Sequence, residues 1–158
     1  MWQGELTAIY ITSEATGMMD AVREVEALAG KGLAGDRYAG GLGTWSSSAG
    51  PGRQVTLFEA ETIEALHRDH DLQIDPALTR RNLLTVGVPL NHLVGREFRV
   101  GEVRLRGITL CEPCTHLDKV AGQKLSKLLL HRGGLNAEVV TGGILKPGLR
   151  VRPPTASV

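Results

Sequence analysis

The sequence predicts a β-rich α+β protein, a mixed, mainly antiparallel β-barrel carrying a few short helices. Three observations lead there. Short runs of alternating or β-branched residues outnumber helix-periodic ones, turn signals recur throughout with 20 glycines among 158 residues, and no strand–helix unit repeats as it would in a doubly wound sheet. A chain of this length supports one domain with its own core, expected over residues 6–152 with a flexible tail at 153–158.

Glu5-Leu6-Thr7-Ala8-Ile9-Tyr10-Ile11 nearly alternates and suits a first strand with one buried face. Residues 13–20 read as a turn or loop. Residues 21–28 fit either a two-residue or a helical period and are taken as strand. Glycines crowd residues 30–41 too densely for a helix, which implies positive φ or close backbone approach. The Ser-Ser-Ser-Ala-Gly-Pro-Gly run at 46–52 is predicted as a mobile surface loop. Residues 53–58 form a strand. A helix follows over 59–68, with Ala60, Ile63 and Leu66 at helical spacing and an acidic first turn that complements its dipole.

Residues 78–86 pass from Arg80-Arg81-Asn82 into a short buried strand, and residues 89–95 make one helical turn. Residues 97–100 and 103–110 form a hairpin turned at Gly101. The leucines of 124–131 predict a second helix stopped by Gly133-Gly134. Closing strands over 137–141 and 149–152 flank turns at Gly142-Gly143 and Pro147-Gly148.

With 18 Lys+Arg against 17 Asp+Glu the net charge is +1, which argues against non-specific adhesion to nucleic acid or an acidic membrane surface. No apolar run approaches the ~18 residues of a membrane span, and the N-terminus has no secretory pattern, so the expected home is the cytoplasm. Two cysteines cannot make a disulfide framework for this chain. In a reducing compartment they read as metal-binding, catalytic or redox groups.

Both cysteines lie in Cys111-Glu112-Pro113-Cys114, where the hairpin's second strand ends and Pro113 prevents its continuation. Four readings stand. A zinc site would need two more ligands, and His67, His70, His92, His116 and His131 bring no second Cys-x-x-Cys. A thioredoxin-like dithiol needs a helix start, which Thr115-His116-Leu117-Asp118-Lys119 supplies poorly. Both thiols could instead be small buried hydrophobes, or one thiolate could bind a soft metal or carry sulfur. Cys114, one step beyond Pro113, is the expected reactive thiolate, and Cys111 the packing one. His116 could tune the thiol or donate a proton, or be an ordinary structural donor.

A second constellation is Arg37, Arg53, Arg80, Arg81 and Asn82, all flanking glycine-rich loops or strand entrances. Guanidinium groups there could hold an anion such as a phosphate, or be solvated, with Asn82 capping a turn. Gly-Lys-Gly-Leu-Ala-Gly lacks the Gly-Lys-Ser/Thr ending of a phosphate-binding loop.

The order of motifs resembles the MOSC domain, the family named after the C-terminal domain of molybdenum cofactor sulfurase. The matching stretches are Gly-Leu-Ala-Gly-Asp-Arg-Tyr, Arg-Gln-Val-Thr-Leu-Phe-Glu-Ala-Glu, Arg-Arg-Asn-Leu-Leu, Leu-Val-Gly-Arg-Glu-Phe-Arg-Val-Gly, Cys-Glu-Pro-Cys and Arg-Gly-Gly-Leu-Asn-Ala-Glu-Val-Val-Thr-Gly-Gly. The resemblance implies a β-rich barrel and a molybdenum ion chelated by the dithiolene of a pterin cofactor. By motif position Cys114 matches the metal-binding or sulfur-carrying cysteine, Arg80 and Asn82 match groups contacting the pterin or its phosphate, and Arg53 and Gln54 lie at another cofactor-contacting position. Cys111 has no assigned role. The implied activity is reduction of N-hydroxylated compounds, including hydroxylaminated purines, with electrons from a separate flavin or iron–sulfur protein, since the chain shows no flavin fingerprint or cluster cysteines. The alternatives are a sulfur carrier with a persulfide on Cys114 and a cofactor-binding module without turnover. Larger relatives add an N-terminal β-barrel domain that helps hold the cofactor. This chain starts at the core domain, so a second subunit, as in a homodimer, is a candidate to cover the site.

Overall fold

The computed structural model describes residues 1–44, 46, 50–113, 115–122 and 124–153. Seven strands close into a barrel: β1 (Gly4–Ile11), β5 (Val55–Glu59), β6 (Leu83–Val86), β7 (Glu97–Val100), β8 (Val103–Leu110), β9 (Leu135–Thr141) and β11 (Arg150–Arg152). Their order is β11-β7-β8-β9-β5-β6-β1, and β1 returns to β11 through Gly4↔Val151 and Glu5↔Arg150. Every barrel pair is antiparallel except β5–β6, and that parallel pair needs a crossover. Helix α1 (Ala60–His70) supplies it and ends at Asp71, whose N–H donates to the His67 carbonyl and whose left-handed conformation lets the Leu72 N–H reach back to Leu66.

The expected 21–28 strand is broken in two. β2 (Asp20–Val22) extends the barrel sheet beside β1, whereas β3 (Val25–Leu28) joins a separate sheet with β4 (Gly32–Leu33) and β10 (Gly143–Leu145). A change of sheet at Arg23-Glu24 lets one segment serve both. β10 lies where a turn was expected, held by Ile144↔Glu26 and Leu145↔Val25.

Alternation along the strands fills the barrel with Leu6, Ile9, Leu57, Leu83, Phe98, Leu105 and Leu135, all essentially inaccessible to water. Outward-facing Phe58 belongs to a second apolar cluster with Leu66, Ile74, Leu117, Leu125 and Leu129. That cluster packs α1, helix α2 (Thr115–Ala121) and the turns that follow against the outside of the barrel.

Here the second predicted helix is corrected. The helix is Thr115–Ala121, and residues 124–131 form successive turns. The leucine spacing was sound, since Leu125 and Leu129 are both buried. What replaces the helix is Asp118, whose carboxylate accepts from Leu125 N (2.6 Å), Ser126 N (2.8 Å) and Ser126 Oγ (2.6 Å) and ties the segment across to α2. The chain leaves the turns through His131 at positive φ rather than through a glycine cap. Residues 47–49 of the expected loop at 46–52 fall outside the described residues, its end forms a tight helical turn at Pro51–Arg53, and most of the expected tail also falls outside.

Candidate functional site

A cavity of about 350 Å³ opens on the outer side of the barrel where β5 begins and β8 ends, a size ordinary for a small-molecule site. Its walls come from distant parts of the sequence: Arg37 and Tyr38 after β4, Arg53 and Gln54 before β5, Arg80 and Arg81 before β6, Cys111 after β8, His116 on α2 and Asn136 on β9.

The glycine-rich loop after β4 is fixed by a buried ion pair. Asp36 (3% exposed) accepts from Arg37 Nη1 at 3.1 Å and from the N–H groups of Thr12 and Tyr38. Burying both charges is tolerable only because each is further bonded. Arg37 also contacts Met19 Sδ, donates to the Arg80 carbonyl at 3.3 Å and lies over the Tyr38 ring at 4.8 Å. Gly32 is required here, because a Cβ at its φ of +126° would stand 2.4 Å from the Gln54 carbonyl oxygen.

Arg80 ends the short helical turn Pro76–Thr79 in the left-handed region (φ 65°), and its guanidinium donates to the Gly17 carbonyl. Only 9% of it is exposed. Burial first, and the nearby Arg37 charge second, push its pKa down to about 10. It is still a cation at neutral pH, and the nearby Asp36 carboxylate offsets only part of that shift. Arg53 and Arg81 add positive charge to the same walls, whereas Glu112, the carboxylate there among the described residues, is already bonded to His131.

The wall across β8, β9 and β5 is polar. Thr109, Asn136 and Thr56 are direct cross-strand partners, and Asn136 Nδ2 donates to Thr109 Oγ1 at 3.1 Å. Sequence reasoning missed Thr109, Asn136 and Asp36. A polar residue between Leu135 and Ala137 was a visible signal for Asn136, but only cross-strand register sets it beside Thr109.

The expected site residues separate into groups. Arg37, Arg53, Gln54, Arg80 and His116 line the cavity together. Gln54 Oε1 accepts from Val139 N at 2.9 Å, and His116 Nε2 lies 3.3 Å from Thr44 Oγ1. Asn82 is not in that wall. It is buried, with Oδ1 accepting from Thr56 N (3.0 Å) and Thr56 Oγ1 (3.1 Å) and Nδ2 donating to the Tyr10 carbonyl (3.0 Å), so it ties β5, β1 and the entrance of β6 together. Cys111 is half-buried and lines the cavity. Cys114 lies outside the described residues. Among the described residues no three His, Cys, Asp or Glu side chains gather as a metal-binding set.

The model of the MOSC domain family matches residues 46–152, more than half of the chain. The chain belongs to the MOSC domain family. That family is associated with molybdenum-cofactor binding. No curated protein matches the chain. Among solved structures, the YuaD protein of Bacillus subtilis superposes with a TM-score of 0.78 at 17% identity, over 96% of this chain and 97% of that one. YiiM of Geobacillus stearothermophilus gives 0.72 at 14% identity, over 95% and 74%. YiiM of Escherichia coli gives 0.67 at 20%, over 99% and 71%. At these identities the likeness is one of fold. No helix among the described residues is long and apolar enough to cross a membrane.

A cavity of this size with a surplus of guanidinium groups fits an anionic, planar, hydrogen-bonding group such as a phosphate-bearing pterin. A bound anion would offset the burial and the Arg37 repulsion that lower the Arg80 pKa.

Proposed function

We propose that this MOSC protein holds a molybdenum–pterin cofactor in the arginine-walled cavity and reduces N-hydroxylated compounds to the amines. The observation that carries the reading is the buried Arg80, which lines one cavity with Cys111 in a chain of this family. When bound, the group supplies a soft two-electron redox centre, for which Cys114 is the proposed thiolate ligand.

The chain's own residues bind, orient and protonate. Arg80 and Arg53 oppose the negative charge of the pterin and its phosphate, while Gln54, fixed through its carbonyl to Val139, offers its amide to the ring. Reduction of R–NHOH to R–NH2 consumes two electrons and two protons and releases water. His116, in the cavity wall and bonded to Thr44, is the group proposed to deliver a proton from Nε2. The electrons are assigned to a separate flavin or iron–sulfur protein.

The test is turnover of a hydroxylaminated purine by the cofactor-loaded protein with an artificial reductant. Formation of the amine, lost in Cys114→Ser, is expected. A persulfide on Cys114 with no turnover would replace this reading by a sulfur carrier, and retained pterin with no turnover would replace it by a cofactor-binding module.

A further inference from the structure

We propose that Arg81 is the positioning residue of the cysteine turn, a task separate from the anion-facing task of its neighbour Arg80. The two arginines are adjacent in sequence, and the left-handed backbone at Arg80 sends them to different partners. Arg80 donates to Gly17 on the far loop. Arg81 turns to the other side, where Nε donates to the Gly133 carbonyl at 2.7 Å and Nη2 to the Cys111 carbonyl at 3.1 Å. One planar fork therefore spans the start of the Cys-x-x-Cys turn and the segment lying against it, a geometry that a lysine ammonium cannot reproduce.

Everything else at this junction points to a turn whose placement is set from this side. Cys111 N donates to the Gly134 carbonyl at 2.8 Å, and Glu112 Oε1 accepts from His131 N at 3.0 Å while its Oε2 lies 3.0 Å from His131 Nδ1. Gly133 passes so close that a Cβ there would stand 2.2 Å from the Cys111 carbonyl oxygen. Arg81 lines the cavity next to Arg80 and reaches the backbone of Cys111, which lines it too, so it joins the anion-facing wall to the thiol-bearing turn. For catalysis the inference rests on the proposed function, but the placement of the turn does not.

The test is iodoacetamide labelling of the full-length, cofactor-free protein, with mass mapping of Cys111 and Cys114, well below the melting temperature. Arg81→Ala should speed labelling of half-buried Cys111 about tenfold or more, since even one charge-assisted bond holding a turn closed is worth about a factor of ten in its opening. Arg81→Lys should speed it about threefold or more, because it keeps the charge but loses the fork. Millimolar methylguanidinium should slow Arg81→Ala back toward wild type, a rescue that general destabilisation would not allow. Wild-type rates in both variants overturn the proposal, as does an acceleration that follows the loss of melting temperature and ignores methylguanidinium. If Arg81→Ala does not fold, an unchanged rate in Arg81→Lys overturns it. Absence of pterin from the wild-type protein made in a cofactor-producing host would sink the proposed function and leave this assignment standing.

Discussion

Replacing Arg80 with alanine should strip the cavity of its anion affinity while leaving the barrel nearly as stable as before. The two halves of that expectation have different origins. In the fold, Arg80 gains a bond to Gly17 but is desolvated and repelled by Arg37, which together push its pKa down to about 10. Alanine loses the bond and relieves the repulsion, and it occupies the same left-handed backbone at a similar steric cost, so the melting temperature should stay within a few degrees. A charge-assisted hydrogen bond to a bound anion is worth about 1.5–3 kcal/mol, so anion affinity should fall about tenfold or more.

The pH dependence provides the second arm. Only the protonated guanidinium binds an anion, and the bound anion raises its pKa. Affinity is therefore complete below about pH 10 and declines as the pH rises through that value. The assay is calorimetric titration with inorganic pyrophosphate, at pH 7–10.5, of wild type and Arg80→Ala, beside thermal melts. Wild type should lose affinity near pH 10, and the variant should be weak and flat. A variant that binds as tightly as wild type, or one whose weaker binding is matched by a collapse in melting temperature, would refute the reasoning.

Two other perturbations separate structural from ligand-facing groups. Asn82→Ala should cost about 2–3 kcal/mol in urea unfolding, because it leaves Thr56 N and the Tyr10 carbonyl without a buried partner. Pyrophosphate affinity of the folded protein should then change little, in contrast to Arg80→Ala. For Asp118, the bonds from the Ser126 hydroxyl and from the Ser126 and Leu125 amides hold the carboxyl below the usual carboxylate range. Its stabilising effect is present above the unfolded pKa and lost as the pH falls through the lowered one. Amide exchange at Leu125 and Ser126 should accelerate in Asp118→Asn at neutral pH, and equal protection in the two proteins would discount the tie.

Much of the barrel was legible because its strands carry their own signals: alternation in β1, the Gly101 turn between β7 and β8, and acidic residues opening α1. What failed was structure set by distant partners. Leu125 and Leu129 have helical spacing and are buried as such a face would be, yet Asp118 captures the amides at the segment's start and leaves turns. β10 has three residues between breakers and exists because β3 is there to pair with it. The arginines could be named from the sequence, but their division of labour could not. It follows from a left-handed residue at Arg80, which no propensity marks in a non-glycine position. The polar wall of Thr109, Asn136 and Thr56 likewise exists only through strand register.

The central claim is that the cavity and the cysteine turn together hold a molybdenum–pterin group. Its most direct test is the metal and pterin content of the protein purified without air from a cofactor-producing host, for wild type, Arg80→Ala and Cys114→Ser. Molybdenum and pterin should be present in equal amounts on the wild type, both reduced in Arg80→Ala, and molybdenum lost in Cys114→Ser. Zinc at one per chain with no pterin, or molybdenum retained equally by all three proteins, would contradict it.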